Sequence, residues 1–182
     1  MQKLKLDELN RMSDQDFRES KKNPVILILD NVRSLNNVGS AFRTADAFRI
    51  EKIYLCGITG VPPHRDIHKT ALGATDTVVW EYAQDTLTVI NQLKAAHWKI
   101  LSLEQTSGST QLQEFRPSAT EKYAFVFGNE VFGVSQEVIE KSNGCLEIPQ
   151  FGTKHSINIS VSLGIVCWHY VNSLLQSGMH LK

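Results

Sequence analysis

Three short stretches of this sequence combine glycine, amide and charged residues in patterns that suit ligand binding. The first is Asn31-Val-Arg-Ser-Leu-Asn-Asn-Val-Gly-Ser-Ala-Phe-Arg43. Asn37 is suited to cap a helix, and Gly39 lets another group come close to the backbone. Arg43 follows Asn37 by six residues, under two helical turns, so the two are expected to serve one pocket, with Arg33 flanking it. A guanidinium near a helix N-terminus matches a phosphate. A capped surface helix with an exposed arginine accounts for the same residues equally well.

The second stretch is Phe127-Gly-Asn-Glu-Val-Phe-Gly133. Gly128 and Gly133 bracket Asn129 and Glu130, permitting unusual backbone angles and close ligand contact. The plainer alternative is a tight turn with a solvated carboxylate. The third runs Ile148-Pro-Gln-Phe-Gly-Thr-Lys-His-Ser-Ile-Asn-Ile-Ser160. Here Pro149 is rigid, Gly152 is flexible, and Ser156 and Asn158 open an apolar helix whose free N–H groups can hold a polar ligand. An ordinary N-cap needs only one such residue.

These stretches need elements to carry them. Residues 1–23 read as a polar, partly helical leader, with Leu6, Leu9, Met12 and Phe17 as a thin apolar stripe and Ser13 capping a short helix over Asp14–Glu19. From residue 24 to 182 the pattern is that of one domain. Pro24–Asp30 is a continuous apolar run, as in a strand buried on both faces. Further strands are predicted at Lys52–Gly57, Thr77–Trp80, Trp98–Leu103, Lys122–Phe127 and Cys145–Ile148, the last halted by Pro149. Helices are predicted over Val38–Phe48, His64–Ala71, Asp85 (as cap) to Ala96, Ser135 (as cap) to near Ser142, and Ile157–Leu175. Strands alternating with helices define an α/β fold: a mostly parallel sheet with helices on both faces. Ligands in such sheets sit beyond the carboxyl ends of the strands, which is where all three stretches fall.

Composition limits the function classes. The chain has 182 residues, enough for one domain with a sizeable core. Its 19 basic and 19 acidic residues cancel, which excludes coating of nucleic acid by bulk charge but leaves room for a local basic patch. Cys56, Cys145 and Cys167 are far apart and odd in number, so neither a disulfide framework nor a zinc site is expected. The charged start lacks a signal core and no apolar run reaches membrane-span length, so a reducing cytoplasm is the simplest compartment. No Gly-x-Gly-x-x-Gly, P-loop or Gly-x-Ser-x-Gly occurs. His64 and His68 have the spacing of a zinc pair, but Arg65 stands where a zinc protease needs glutamate, so no metal is expected.

Taken together, Asn37-x-Gly39…Arg43, Gly128-Asn-Glu130…Gly133 and Ile148-Pro…Ser156-x-Asn158-x-Ser160 resemble the three signature motifs of the TrmH (SpoU) family of SPOUT-class RNA 2′-O-ribose methyltransferases, over about residues 24–175. Departures are slight: Gln150 stands where methionine is common, and Ile157 and Ile159 replace leucine and valine. The resemblance implies a C-terminal deep trefoil knot that forms the cofactor pocket, and a homodimer. It implies S-adenosylmethionine held by Leu103, Glu104, Gln105, Gly128, Asn129, Gly133, Ile148, Ser156 and Ile157. It implies catalytic work by Arg43, with Asn37, Glu130, Ser156 and Asn158 in support, and an arginine that acts at the partner subunit's cofactor. The long last helix, with Ile165, Val166, Trp168 and Val171, is the interface candidate. The implied partner is RNA, transfer RNA ahead of ribosomal RNA, with Arg33, Arg43, His64, Arg65 and Lys69 as contacts and Arg11, Arg18, Lys21 and Lys22 as further basic candidates. A non-catalytic RNA-binding protein on the same scaffold, or a base-directed relative, are the alternatives.

Overall fold

The computed structural model of the chain describes residues 1–5 and 7–178. Seven strands carry the fold: β1 Asn23–Asp30, β2 Ile50–Cys56, β3 Trp80–Ala83, β4 Trp98–Leu103, β5 Thr110–Gln111, β6 Lys122–Phe127 and β7 Gly144–Glu147. The helices are α1 Asp14–Glu19, α2 Leu35–Ala47, α3 Arg65–Ala71, α4 Ala74–Thr77, α5 Thr86–Ala95, α6 Gln136–Lys141 and α7 Ile159–Gln176. All strand pairs are parallel, in the order β3-β2-β1-β6-β4-β7-β5.

The strand period of two sorts the side chains between two cores. Val25, Leu27 and Leu29 face α2, α3 and α7, together with Ile53, Leu55, Phe125 and Phe127. Ile26 and Ile28 face α5 and α6, together with Tyr54, Ile100, Ala124 and Val126. Burial on both faces is why β1 reads as an unbroken apolar run. β6 lies between β1 and β4, with Leu27 opposite Phe125 and Ile100 opposite Ala124. The carboxyl ends of β1 and β6 are therefore neighbours.

Several predicted boundaries move, each for a local reason. The third strand is Trp80–Ala83 rather than Thr77–Trp80, because residues 74–77 form α4. The Thr77 hydroxyl donates to Asp46 Oδ2 at 2.7 Å, which holds that segment against α2. Helix α2 starts at Leu35, capped by Ser34, whose Oγ accepts from the Asn37 N–H. Asn37 is thus not the cap; it lies in the first turn, and its side chain is free for another partner. The last helix starts at Ile159 because Asn158 caps it, accepting from the Ser160 N–H at 2.8 Å. The two-residue β5, at the sheet edge, was too short to show periodicity. Asp85 and Ser135 cap their helices as read; His64, read as the first helical residue, is instead the cap of α3, accepting from the Asp66 N–H.

In the leader, Ser13 caps α1 as expected and Phe17 is buried in the core, but Leu9 and Met12 are exposed, so the apolar stripe does not exist as such. Leu6 of that stripe lies outside the described residues. Arg18 donates to the Asp76 carbonyl, and Lys22 to the carbonyls of Phe17 and Ser20. These two cations hold α1 in place. No described helix is long and apolar enough to cross a membrane.

Gly39 has a fold-level task. A Cβ built there would lie 2.0 Å from Thr70 Oγ1 and 2.3 Å from the Ile67 carbonyl oxygen. What approaches this glycine is therefore α3, not a ligand. Gly39→Val is expected to lower stability by about 2 kcal/mol or more, since helix backbone cannot yield as a side-chain tip does. A lower urea midpoint at unchanged slope checks this.

Candidate functional site

The site is built on Glu130. β6 ends at Phe127, and Gly128 to Val134 form a tight turn closed by the Asn129 N–H donating to the Gly133 carbonyl at 3.0 Å and the reverse bond at 2.9 Å. Gly133 has φ +66, and a Cβ on Gly128 would lie 2.2 Å from the Gly133 carbonyl. Both glycines are thus required by the turn itself. Asn129 Oδ1 accepts from the N–H groups of Val131 and Phe132, and its Nδ2 donates to the Asn31 carbonyl at 2.8 Å. Glu104 Oε2 accepts from the Val134 N–H at 2.9 Å and secures the far end.

This turn presents Glu130 to the start of α2. Its Oε2 accepts from the Arg33 N–H at 2.9 Å; its Oε1 accepts from the Ser34 N–H at 3.0 Å and from Asn37 Nδ2 at 2.9 Å. Asn37 Oδ1 in turn accepts from Asn158 Nδ2 at 3.3 Å. One chain of hydrogen bonds thus joins the three sequence motifs. Partial burial pushes the Glu130 carboxyl upward, but the N–H donors of Arg33 and Ser34 and the Asn37 amide outweigh it, and the group is held below its ordinary value.

Beside this chain lies a cavity of about 540 Å³, within the usual range for small-molecule sites. Leu103, Leu146, Ile148 and Ile157 supply apolar wall; Glu104, Gln105, Gly128, Asn129, Gly133, Ser156 and Asn158 supply its polar edge. Gln105 Nε2 donates to the His155 carbonyl at 2.9 Å, tying the loop after β4 to the loop before α7. Every residue expected at the cofactor therefore borders one cavity, as do Glu130, Ser156 and Asn158 from the catalytic set. Gln150 and His155, within the third stretch, line it too; sequence reasoning did not single out Leu146 and Phe132, which also line it, or Asn31, which anchors the turn. Asn31 and Asn129, both just past strand ends, were the available signal.

Arg43 and Asn37 do not meet in one pocket, although their spacing suggested that they would. Arg43 is exposed, does not border this cavity, and takes no part in the ion pairs of the described residues. Six residues of helix turn it about 240° from Asn37, so the two point to different sides. It lies one turn beyond Gly39, on the side of α2 that meets α3. His64, Arg65 and Lys69 are exposed on α3, and Arg33 is exposed at the start of α2. His64 also serves as helix cap. The basic residues expected to contact RNA therefore lie on or beside α2 and α3 and do not line the cavity.

The depressed Glu130 carboxyl has a pH consequence. A lowered folded-state value contributes stability that is present above the ordinary 4.5 and lost as pH falls below it. Thermal unfolding of the wild type and Glu130→Gln should differ most at neutral pH, and the gap should close as pH drops below 4.5.

Residues 24–168 match the model of the SpoU rRNA Methylase family. The 23S rRNA (guanosine-2′-O-)-methyltransferase RlmB of Neisseria meningitidis serogroup B is 30% identical over 143 residues, which cover 79% of this chain and 56% of that protein. This chain thus spans little more than half the length of that relative. The crystal structure of the A. aeolicus TrmH/SpoU tRNA modifying enzyme superposes with a TM-score of 0.80 at 24% identity, covering 91% of this chain and 84% of that one. The SpoU methyltransferase AviRb from Streptomyces viridochromogenes, solved in complex with AdoMet, gives 0.78 at 17% identity, covering 88% and 64%. These two share the fold. With four-fifths of its length matched, the chain belongs to the SpoU rRNA methylase family.

Proposed function

We propose that this chain is an S-adenosylmethionine-dependent RNA methyltransferase acting on a ribose 2′-hydroxyl. The observation that carries the proposal is the hydrogen-bond chain Glu130–Asn37–Asn158, which joins all three family motifs beside one cavity. The residues present fit the cofactor: apolar walls from Leu103, Leu146 and Ile148 suit an adenine ring, and the polar edge suits an amino-acid end. When bound, the cofactor supplies an electrophilic methyl group on a sulfonium. Leu103 to Gln105, Gly128, Asn129, Gly133, Ile148, Ser156 and Ile157 would hold it. The proposal includes the trefoil threading of the C-terminal segment.

The protein's own contribution is positioning and charge. Glu130 and Asn37 fix the start of α2, and Asn158 links that start to α7; these act as positioning residues. Arg43 serves as a phosphate clamp that also stabilises charge developing on the 2′-oxygen. Its position away from its own cavity supports action at the cavity of a partner subunit. α7 offers a surface for such a dimer: Val161, Ile165, Trp168 and Leu175 are exposed along one side, Trp168 at 53%. Val166 and Val171, also candidates from sequence, are buried core instead. The basic residues Arg33, His64, Arg65 and Lys69 would meet backbone phosphates. Transfer RNA is the first substrate proposed and ribosomal RNA the second.

Labelled-cofactor assays on unmodified transfer and ribosomal RNA test this. Arg43→Ala is expected to lower methyl transfer by about 100-fold or more while calorimetry finds cofactor binding intact. Wild-type transfer by Arg43→Ala overturns the clamp. Trp168→Glu is expected to give a monomer by sedimentation that has lost transfer; an active monomer overturns the shared site.

A further inference from the structure

Phe132 stands where an apolar ring has no structural use. It is 85% exposed, yet it borders the cavity. Its backbone is not loose: its N–H donates to Asn129 Oδ1 at 3.2 Å, the turn carrying it is closed by paired bonds between Asn129 and Gly133, and Glu104 pins the next residue but one. An exposed ring carried on a fixed backbone at the edge of a pocket is placed to receive a flat partner. Arg33 is tied to the same turn through its backbone, its N–H donating to Glu130 two residues before Phe132. The Arg33 side chain is exposed and takes no part in the side-chain hydrogen bonds or ion pairs of the described residues. Glu130 therefore joins the backbone that carries a cation to the turn that carries an aromatic ring. That pairing suits a nucleotide, with phosphate to the guanidinium and base to the ring.

We infer that Phe132 is a stacking platform for a nucleobase of the RNA, at or beside the nucleotide whose ribose enters the site, with Arg33 on its phosphate. The inference rests on the proposed RNA methyltransferase function. The occupant is the RNA base rather than the cofactor's adenine, because the ring faces solvent at the rim while the apolar walls of Leu103, Leu146 and Ile148 lie within. Stacking on an aromatic face tolerates any base, so the platform holds the nucleotide in place without dictating its identity.

Because the ring is exposed, its replacement leaves the fold intact. Phe132→Ala should raise KM for bulk unmodified RNA by about tenfold, with a smaller effect on kcat. Phe132→Leu should behave like alanine and Phe132→Trp like wild type, since the face rather than the area matters. Calorimetry should find cofactor affinity unchanged in all three. The Phe132→Trp protein should also show indole emission, beyond that of the wild type, that RNA quenches. Normal KM in Phe132→Ala with no quenching in Phe132→Trp overturns the platform while leaving the methyltransferase assignment standing. Loss of cofactor affinity in step with KM overturns it too, by placing the ring on the cofactor. Quenching by RNA in Phe132→Trp, with a wild-type chain that transfers no methyl group, supports the platform and overturns the methyltransferase assignment.

Discussion

A single carboxylate holds this site together. Glu130 receives three N–H donors from residues nearly a hundred positions away in the chain. Two of them are backbone groups at and just before the cap of a helix, whose N-terminal end carries positive dipole charge. The interaction therefore complements the helix end and restrains the loop at once. Without it, the turn after β6 and the start of α2 would meet only through weaker contacts, and Asn37 would have no fixed orientation from which to receive Asn158.

The sheet makes that contact available. Glu130 can reach Arg33 and Ser34 only because β6 lies next to β1, so that the two strands end side by side. The glycines of the Gly128–Gly133 turn then bring the carboxylate back over the sheet edge. The cavity follows from the same placement, since β4, β6 and β7 are adjacent and their trailing loops form its walls. Two surfaces result: a pocket of mixed polarity beyond the strand ends, and an exposed surface on α2 and α3 that carries Arg43, Arg65 and Lys69.

Much of this was legible in residue patterns. The buried strands read clearly because parallel strands covered on both faces are continuously apolar, as in Pro24–Asp30. Helix caps at Ser13, Asp85 and Ser135 read clearly because capping is local. Thr77–Trp80 misled because β-branched residues there form a helical turn held by Asp46, a partner thirty-one residues distant. The cofactor residues were legible as motifs, and they do border one cavity. The joint placement of Asn37 and Arg43 was not, because sequence spacing gives distance along a helix more readily than direction around it. Phe132 was hidden for another reason: an aromatic next to a glycine turn looks like core until its exposure is known.

The order of strands also has a bearing on how the chain folds. β1 and β4 are synthesised with no contact between them, and the strand that joins them, β6, is made later. β7 likewise fills the space between β4 and β5 after both exist. The sheet therefore cannot grow outward from one nucleus. Two open edges must wait, unpaired and apolar, until residues 122–127 emerge to bridge them. Such non-local pairing makes folding slow and leaves those edges exposed to other chains meanwhile.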